Sequence, residues 1–560
     1  MDSIEIRNLR FTYPASSTPV LKDISLTIEK GDFLAIVGNN GSGKSTFCKV
    51  LNGLIPHYID GDFSGTVVVE GQDTLKSSVG ELATKVGYVY QDFENQIVRP
   101  TVLDDASYAC LNNAFEDYLE KGKEALAKCG LDGHEDDFIW QLSGGQTHLL
   151  ALAGTLALEP EILILDEPIA QLDPHHADII YGILKTLNER YGKTIIVIEH
   201  HSEYIAKYCK HVMLMKNGSF AWKKKTEDAL QEVEELMQSN IFPPQVTLAA
   251  YRLKKEKGYI FDRLPVKMEE VKDTFHGFTF HKEEAGKKEA GETIISCKDV
   301  SLSYHSLKGE DHVVFDKLNL DIHKGEHIAL IGTNGAGKSS LMKLLVRLIK
   351  DYSGEILLEG RDIRKEGYRD IASKISLVYQ NPEQMFIRDS IANDIAFALE
   401  ARGMKNAKER TDELLHYFDL EGLRDRDGRL LSGGQMRRAT LAIGTALNPE
   451  VLLLDEPTAN LDMATRKEII RTLDEMRNVI HTAVIATHDM QLLAEWADRI
   501  IVLHDGRVIA DGDRDMVFNN PSVIEEAGIR PPEIFTAGKM LDEHASLYMI
   551  DGFMECFKEV

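Results

Sequence analysis

The first thirty residues alternate between apolar and polar positions, which is the pattern of strands with one buried face. Apolar side chains recur at Ile4, Ile6 and Leu9 and, after a turn, along residues 21–28. A period of two predicts β-strands, and two such runs separated by a turn predict an antiparallel pair. The next run, Phe33–Val37, is short and continuously apolar, which is typical of a buried parallel strand.

Three later apolar runs in the first half of the chain end in polar residues. Residues 86–91 end in Gln91, residues 163–167 end in an Asp-Glu pair, and residues 195–200 end in His200. Each run is short enough for a buried strand. The pattern therefore predicts strands that deliver polar side chains at their ends.

The second half of the chain repeats these runs in the same order. The sequence LSGGQ occurs at residues 142–146 and again at residues 431–435. Lys338 follows Lys44 by 294 residues, and Pro457 follows Pro168 by 289 residues. Because the separation hardly drifts, the repeat predicts two copies of one domain arranged head to tail.

A glycine-rich loop follows the first buried strand in each copy and precedes a predicted helix. Both loops fit the phosphate-loop pattern, in which backbone N–H groups and a helix N-terminus surround phosphates. The lysine is predicted to reach the β- and γ-phosphates, and the serine after it to hold Mg²⁺. The predicted nucleotide-binding residues are Gly38, Asn39, Asn40, Gly41, Ser42, Gly43, Lys44, Ser45 and Thr46, and Gly332, Thr333, Asn334, Gly335, Ala336, Gly337, Lys338, Ser339 and Ser340.

The polar residues at the other strand ends have the chemistry of hydrolysis. In each copy an aspartate is placed to hold Mg²⁺, and the next glutamate to take a proton from the attacking water. A glutamine can touch Mg²⁺ or that water, and a histidine can contact the γ-phosphate. The predicted catalytic residues are Glu167, Glu456, His200, His488, Gln91 and Gln380, and the predicted metal ligands are Ser45, Gln91, Asp166, Ser339, Gln380 and Asp455.

Two further features recur in both copies. An aromatic residue, Tyr13 or Tyr304, follows the first strand and is placed to stack on a nucleotide base. The LSGGQ sequence opens a predicted helix whose N-terminus forms a second anion site. The residues of that site are Ser143 and Gly145, and Ser432 and Gly434, and each acid pair is followed by an aspartate, Asp173 or Asp462.

Composition narrows the class of protein. A net charge of −26 argues against a protein whose main ligand is the phosphate backbone of a nucleic acid. The six cysteines form no Cys-x-x-Cys pair, so they signal neither a zinc ribbon nor an iron–sulfur cluster and fit buried thiols in a reducing cytosol. No apolar stretch reaches the roughly 18 residues needed to cross a bilayer, so we expect any transport role to require a separate membrane partner.

The ordered set of aromatic residue, phosphate loop, glutamine, LSGGQ, Asp-Glu pair, aspartate and histidine resembles the ATP-binding cassette (ABC) ATPases. The resemblance covers nearly the whole chain, twice. It implies an α/β fold of two tandem P-loop domains, each with a parallel-sheet core, an antiparallel β layer and a helical lobe carrying LSGGQ. It also implies ATP hydrolysis with Mg²⁺ and head-to-tail, intramolecular pairing, in which each phosphate loop faces the LSGGQ of the other cassette.

The tails of the two glutamine loops resemble those of energy-coupling factor (ECF) importers of vitamins and metal ions. These tails read ENQIV at residues 94–98 and EQMFI at residues 383–387. A Pro-Pro segment before a short helical run, at residues 242–247 and 530–535, is similar to the tails of ATPases of that class, although a linker kink would look the same. The implied partners are an integral membrane coupling subunit near Gln96 and Gln384 and a solute-binding membrane subunit, with this chain peripheral at the cytoplasmic face of the cell membrane.

These patterns divide the chain into four segments. We expect a first ABC ATPase domain at residues 1–240, its extension and a linker at 241–293, a second ABC ATPase domain at 294–528 and a C-terminal extension at 529–560. Residues 227–237 have helical spacing. Residues 281–292 are charged and almost free of apolar side chains, which predicts a flexible tether.

The main alternative is a soluble double-cassette protein of the translation class (ABC-F), acting on the ribosome. That class typically carries a long basic helical arm between its cassettes, whereas this linker has mixed charge and a Pro-Pro kink. A scaffold that binds ATP without turnover is opposed by the two Asp-Glu pairs. Importers place solute recognition on membrane chains, so we expect no residue of this chain to select the solute.

One difference between the copies concerns the residues after LSGGQ. The second copy continues with Arg437 and Arg438, close to the usual basic continuation of the family, whereas the first has His148 and Leu149 and lacks the arginine. Since Glu167 and Glu456 are both present, we predict two competent sites of unequal rate.

Overall fold

The computed structural model describes residues 2–14, 16–170, 172–281, 291–305, 311–459, 461, 463–477 and 479–558. The chain forms two compact units. Unit 1 comprises Met1–Thr279 and the C-terminal Phe553–Val560, and unit 2 comprises Phe280–Gly552. Most of the predicted tether, residues 282–290, lies outside the described residues, as does Asp462.

Unit 1 contains a small antiparallel sheet and a larger, mainly parallel one. Its strands are β1 (Asp2–Thr12), β2 (Leu21–Glu29), β3 (Phe33–Val37), β4 (Asp62–Val69), β5 (Gln72–Asp73), β6 (Val86–Val89), β7 (Ile162–Asp166), β8 (Thr194–Ile198), β9 (His211–Lys216) and β10 (Ser219–Lys225). The small sheet has the order β2-β1-β4-β5, and the large one β10-β9-β3-β8-β7-β6. In the large sheet the β10–β9 pair is antiparallel and the other pairs are parallel. The predicted antiparallel pair and buried strand are thus confirmed.

Helices surround the large sheet of unit 1. They are α1 (Lys44–Leu51), α2 (Leu54–His57), α3 (Val79–Ala83), α4 (Val102–Asn112), α5 (Tyr118–Lys128), α6 (Gly144–Leu156), α7 (Pro174–Tyr191), α8 (Ser202–Tyr208), α9 (Thr226–Ala229), α10 (Val233–Gln238), α11 (Gln245–Glu256) and α12 (Val271–Thr274). The LSGGQ helix α6 packs with α4 and α5, which forms the helical lobe. The Pro-Pro segment precedes α11, as predicted.

Unit 2 repeats the two sheets. Its strands are β11 (Thr293–His305), β12 (Asp311–His323), β13 (His327–Ile331), β14 (Ser353–Leu358), β15 (Arg361–Asp362), β16 (Ile375–Val378), β17 (Val451–Asp455), β18 (Thr482–Ala486), β19 (Arg499–His504) and β20 (Arg507–Gly512). The orders are β12-β11-β14-β15 and β16-β17-β18-β13-β19-β20. In the larger sheet the β19–β20 pair is antiparallel and the other pairs are parallel.

The helices of unit 2 follow the same plan. They are α13 (Lys338–Leu345), α14 (Tyr368–Lys374), α15 (Ile391–Ala401), α16 (Ala407–Tyr417), α17 (Gly433–Thr445), α18 (Met463–Met476), α19 (Met490–Trp496), α20 (Arg514–Phe518), α21 (Pro521–Glu526), α22 (Glu533–Leu541) and α23 (Ile550–Glu555). The second Pro-Pro segment precedes α22. The last residues of α23 already belong to unit 1.

The strand that carries each phosphate loop is buried on both faces. In β3, Leu34 and Ile36 pack with the antiparallel layer, whereas Phe33, Ala35 and Val37 pack with the helices of the lobe. Strand β13 divides its side chains between two cores in the same way. Each large apolar side chain buried in this way stabilises the fold by about 2 kcal/mol, so the strand end that starts each loop is rigidly held.

One predicted helix is interrupted. The helical spacing of residues 227–237 is realised as two short helices, α9 and α10, separated by a turn. Gln231 in that turn exchanges two hydrogen bonds with the main chain of Leu264, one donated at 2.9 Å and one accepted at 3.0 Å. This tertiary contact, which no local pattern reports, fixes the break. No helix among the described residues is long and apolar enough to cross a membrane.

Candidate active site

The two phosphate loops have matching internal geometry. In unit 1, Lys44 Nζ donates to the carbonyl oxygens of Gly38 at 2.7 Å and Asn39 at 3.1 Å. In unit 2, Lys338 Nζ donates to Gly332 at 2.7 Å and Thr333 at 3.0 Å. In both loops the buried ammonium thus lies against the loop backbone, where the pattern predicts phosphate.

The first glycine of each loop is required sterically. Gly38 has φ +149°, and a Cβ there would lie 2.2 Å from the carbonyl oxygen of Met215. A Cβ on Gly332 would lie 2.1 Å from the carbonyl oxygen of Leu503. Because both obstacles are backbone atoms of a neighbouring strand, neither loop could close with a side chain at this position.

The serine and aspartate predicted to hold the metal are brought together in both units. The hydroxyl of Ser45 is hydrogen-bonded to Asp166, and that of Ser339 to Asp455. Burial raises the pKa of both aspartates, and the serine hydrogen bond opposes the shift. In unit 1 the hydroxyl of Tyr88 also donates to Asp166 at 3.1 Å. A buried hydroxyl–carboxylate pair at the start of a phosphate-loop helix fits Mg²⁺, which prefers oxygen ligands.

The predicted base, glutamine and histidine of unit 1 meet at one point. Gln91 Nε2 donates to Glu167 Oε2 at 2.9 Å, and His200 Nε2 lies 3.1 Å from Glu167 Oε1. Burial alone would raise the pKa of Glu167, but the hydrogen bond and charge of His200 and the charge of Lys44 lower it overall. Glu167 also holds φ at +51°, a strained conformation of the kind that clusters at functional sites.

The equivalent groups of unit 2 are arranged differently. Glu456 shares the strained backbone, with φ +46°, but burial raises its pKa to about 7. His488 Nε2 lies 2.9 Å from Asn334 Oδ1 and 3.2 Å from Lys338 Nζ. It lies farther from Glu456 Oε1, at 3.4 Å. Among the described residues the Gln380 side chain has no hydrogen-bond partner. The second site therefore holds the same residue types with its histidine turned towards the phosphate loop.

The glutamine loops are fastened to the LSGGQ helices by different side chains. In unit 2, Arg437 of α17 donates to the carbonyl oxygens of Tyr379 at 3.1 Å and Gln380 at 3.0 Å. Its position in unit 1 is taken by His148, which makes neither bond. Instead Gln96 reaches from the loop to α6, donating to Ala151 O at 3.2 Å and Thr155 Oγ1 at 2.9 Å.

A buried aspartate anchors the far end of each glutamine loop. Asp105 accepts the N–H groups of Val98 and Arg99 at 2.8 and 2.9 Å, and Asp394 accepts those of Ile387 and Arg388 at 2.9 and 2.8 Å. Each anchored segment leads directly into a helix, because Thr101 and Ser390 cap α4 and α15. The recurrence of an aspartate at matched positions, Asp105 and Asp394, is the sequence signal that could have identified these anchors.

The other predicted residues lie at the ends of strands and helices. The Tyr13 hydroxyl lies 3.1 Å from Thr46 Oγ1, and the Tyr304 side chain is 46% exposed. Ser143 and Ser432 cap α6 and α17 within their own units. Asp173 caps α7 and lies 2.9 Å from His176 Nδ1. Their roles towards ATP stay predictions.

Comparison with known proteins identifies the family. The model of the ABC transporter family matches residues 21–170 and 315–459. An ABC transporter ATP-binding protein of Methanosarcina acetivorans is 33% identical over 545 residues, spanning 94% of this chain and 89% of the relative. One from Enterococcus faecalis is also 33% identical, over 568 residues, 100% of this chain and 99% of the relative.

One solved structure matches about the length of a single unit. The structure of cbiO1 from Clostridium perfringens, described as part of the ABC transporter complex cbiONQ, is 32% identical. It covers 43% of this chain and 97% of its own length, with a TM-score of 0.37. With two family matches and relatives that span its full length, this chain belongs to the ABC transporter family as an ATP-binding protein that hydrolyses ATP.

Proposed function

We propose that this protein is the ATP-hydrolysing subunit of a membrane importer of the energy-coupling factor type. It would sit at the cytoplasmic face of the membrane, bound to an integral coupling subunit that carries a solute-binding subunit. The observation that carries the proposal is an exposed apolar surface beside each glutamine loop.

In unit 1 this surface contains Val98, which is 60% exposed, and Trp140, which is 64% exposed. Asp105 fixes the main chain of Val98, and the N–H of Ile139 donates to the Pro100 carbonyl, which holds the segment of Trp140 beside it. Exposed apolar side chains that are grouped on one surface are typical of protein interaction sites.

Unit 2 carries a matching surface. Ile387 is 61% exposed and Leu430 is 82% exposed. The arginine after each aliphatic residue covers an aromatic ring, Arg99 over Tyr108 and Arg388 over Phe397, both at 4.6 Å. The same design beside both glutamine loops supports docking of two similar apolar segments of a membrane subunit.

The site geometry supports a set of proposed catalytic roles. We propose that Lys44 and Lys338 hold the β- and γ-phosphates, and that Glu167 and Glu456 accept the proton of the attacking water. Ser45 with Asp166 and Gln91, and Ser339 with Asp455 and Gln380, would hold Mg²⁺, which neutralises charge on the phosphates. The serines of LSGGQ would complete the site on the opposite cassette, so that ATP binding closes the pair.

The test is affinity purification of tagged protein from native membranes in detergent, with mass spectrometry of what accompanies it. We expect one polytopic coupling subunit and a small solute-binding membrane protein. Val98→Asp with Ile387→Asp should abolish their recovery, whereas Ile260→Asp, at a site 91% exposed elsewhere in unit 1, should not. Recovery of ribosomal proteins from a cytosolic fraction instead would support the ABC-F alternative and overturn the importer proposal.

A further inference from the structure

Glu199 is a buried carboxylate directly before His200, at the end of β8, and is only 2% exposed. Its Oε1 accepts the main-chain N–H of His200 at 2.8 Å and of His201 at 2.9 Å. Its Oε2 accepts the hydroxyl of Tyr181 at 2.8 Å. Because a buried carboxylate is costly unless donors replace its water, these three hydrogen bonds account for an acid inside the fold.

The hydroxyl that donates to Glu199 belongs to Tyr181, a residue of the hydrophobic core. Tyr181 is fully buried on α7 and stacks against Tyr204 and Tyr208 of α8, with ring centroids 4.9 and 5.0 Å away. Burial, and next the charge of Glu199, raises the pKa of Tyr181 far above its usual range. The hydroxyl therefore keeps its proton and remains a donor to the carboxylate.

The imidazole of His200 is held from one side only. Its Nε2 faces Glu167 at 3.1 Å, whereas its buried Nδ1 has no hydrogen-bond partner in the described part of the chain. A functional histidine is usually oriented by a hydrogen bond at its other ring nitrogen. Since that bond is missing, the orientation of the ring depends on its main chain, which Glu199 holds.

Unit 2 holds its histidine by another device. Thr487 stands where unit 1 has Glu199, and Ile470 stands where it has Tyr181. The acid comes after His488 instead: Asp489 pairs with Arg466 and accepts the Thr458 hydroxyl at 2.9 Å. The Thr487 hydroxyl accepts the main-chain N–H of Asp489 at 2.9 Å, so in unit 2 a neutral group makes part of the main-chain contact that Glu199 makes in unit 1.

We propose that Glu199 is a positioning residue for ATP hydrolysis in unit 1. It holds the main chain of His200 so that the imidazole faces Glu167, and it does not itself touch the nucleotide. This role rests on the proposed function of the protein and on the predicted contact between His200 and the γ-phosphate.

The test measures steady-state ATP turnover of the full chain in a Glu456→Gln background. Because this substitution removes the predicted base of unit 2, the remaining turnover is that of unit 1. The variants are Glu199→Ala, Glu199→Gln and Tyr181→Phe, with His200→Ala as the reference. Thr487→Ala, the equivalent position of unit 2, is the matched control. Thermal unfolding and the KM for MgATP are recorded for each variant.

We expect Glu199→Ala to lower kcat about tenfold or more, as loss of an orienting partner does, with the KM for MgATP within about twofold. Glu199→Gln should recover most of kcat, because its amide oxygen still accepts the two N–H groups. Tyr181→Phe should lower kcat less, since one donor of three is lost. Thr487→Ala removes an acceptor of the Asp489 N–H in unit 2 and should leave the turnover of unit 1 unchanged.

An unchanged kcat in a folded Glu199→Ala variant would overturn the proposal while His200→Ala still abolishes turnover. A parallel loss of kcat and MgATP binding without rescue by Gln would do the same, because it indicates a structural role alone. If Glu199→Ala does not fold, a Tyr181→Phe variant with wild-type kcat decides against the proposal. A silent His200→Ala variant would instead refute the role of His200 itself, and with it any positioning by Glu199.

Discussion

The glutamine loops of the two units are attached to their LSGGQ helices by opposite means. In unit 2 a buried cation, Arg437, reaches from the helix to two carbonyl oxygens of the loop. In unit 1 a neutral amide, Gln96, reaches from the loop to the helix. Both arrangements connect the same elements, but the charge and the direction of the connection differ.

The replacement of Arg437 by His148 explains the difference physically. His148 is 7% exposed and packs on Phe93 with ring centroids 3.4 Å apart, and burial lowers its pKa to about 3. It is therefore neutral near pH 7. Burial also lowers the pKa of Arg437, but only to about 10, so that residue stays charged. A hydrogen bond from a charged group contributes about 1.5–3 kcal/mol, against about 1 kcal/mol for a neutral one, so the loop of unit 2 is the more firmly held.

The largest expected effect comes from removing one catalytic base at a time. Glu167→Gln and Glu456→Gln should each reduce hydrolysis at their own site by about a hundredfold or more. Because Glu167 already contacts Gln91 and His200, we expect its loss to remove the larger share of total turnover. Steady-state ATPase assays measure the contribution of each site to total turnover, and the double variant gives the background rate. Equal losses would contradict the predicted inequality.

The next effect tests the cationic attachment. Arg437→His, which copies unit 1, leaves two carbonyl oxygens unsatisfied and should destabilise unit 2 by about 2–3 kcal/mol. Urea unfolding followed through Trp496, which lies in α19 of unit 2, measures this loss. Turnover of unit 2 in a Glu167→Gln background should fall with it.

Arg438→His is the control for that experiment. Arg438 is adjacent in sequence but pairs with Glu468 rather than with the glutamine loop. It should therefore cost less stability and leave turnover of unit 2 in place. If both arginine variants behave alike, attachment of the loop is not what Arg437 contributes.

A smaller effect is expected from the neutral attachment of unit 1. Gln96→Ala removes two hydrogen bonds to α6 and should cost about 1–2 kcal/mol, with a modest loss of turnover in a Glu456→Gln background. Asn95→Ala, at the exposed neighbouring residue, is the control. Adding His148→Arg to Gln96→Ala should restore stability if the two attachments are interchangeable, and a further loss would show that they are not.

Sequence alone predicts the shared parts of the two sites better than their differences. The strand–loop–helix context of Lys44, and its recurrence at Lys338, follow from apolar runs and glycines that act locally. The sequence also shows that His148 replaces the arginine. It does not show that Gln96 compensates for this replacement, because that role depends on which side chain reaches a helix more than fifty residues away. Glu199 reads as an ordinary strand end until its burial is known.

The smallest effect concerns the residue that packs over LSGGQ. A Cβ on Gly145 would lie 2.1 Å from the His176 ring, and one on Gly434 would lie 2.4 Å from Thr465, so the units place different side chains here. The hydrogen bond to Asp173 raises the pKa of His176, and burial opposes this. A histidine whose pKa is raised on folding adds stability below its unfolded value of about 6.5, and this is lost as pH rises through the folded value.

His176→Thr, which copies unit 2, should therefore destabilise unit 1 by about 1 kcal/mol at pH 6 and by less at pH 8. Histidine NMR of the labelled protein tests the cause directly. The His176 resonance should titrate above pH 6.5 and move down in Asp173→Asn, whereas His148 should not titrate between pH 5 and 9 because burial keeps it neutral. An unshifted His176 midpoint in Asp173→Asn would show that the aspartate does not hold the proton there, and the pH-dependent difference between the units would disappear with it.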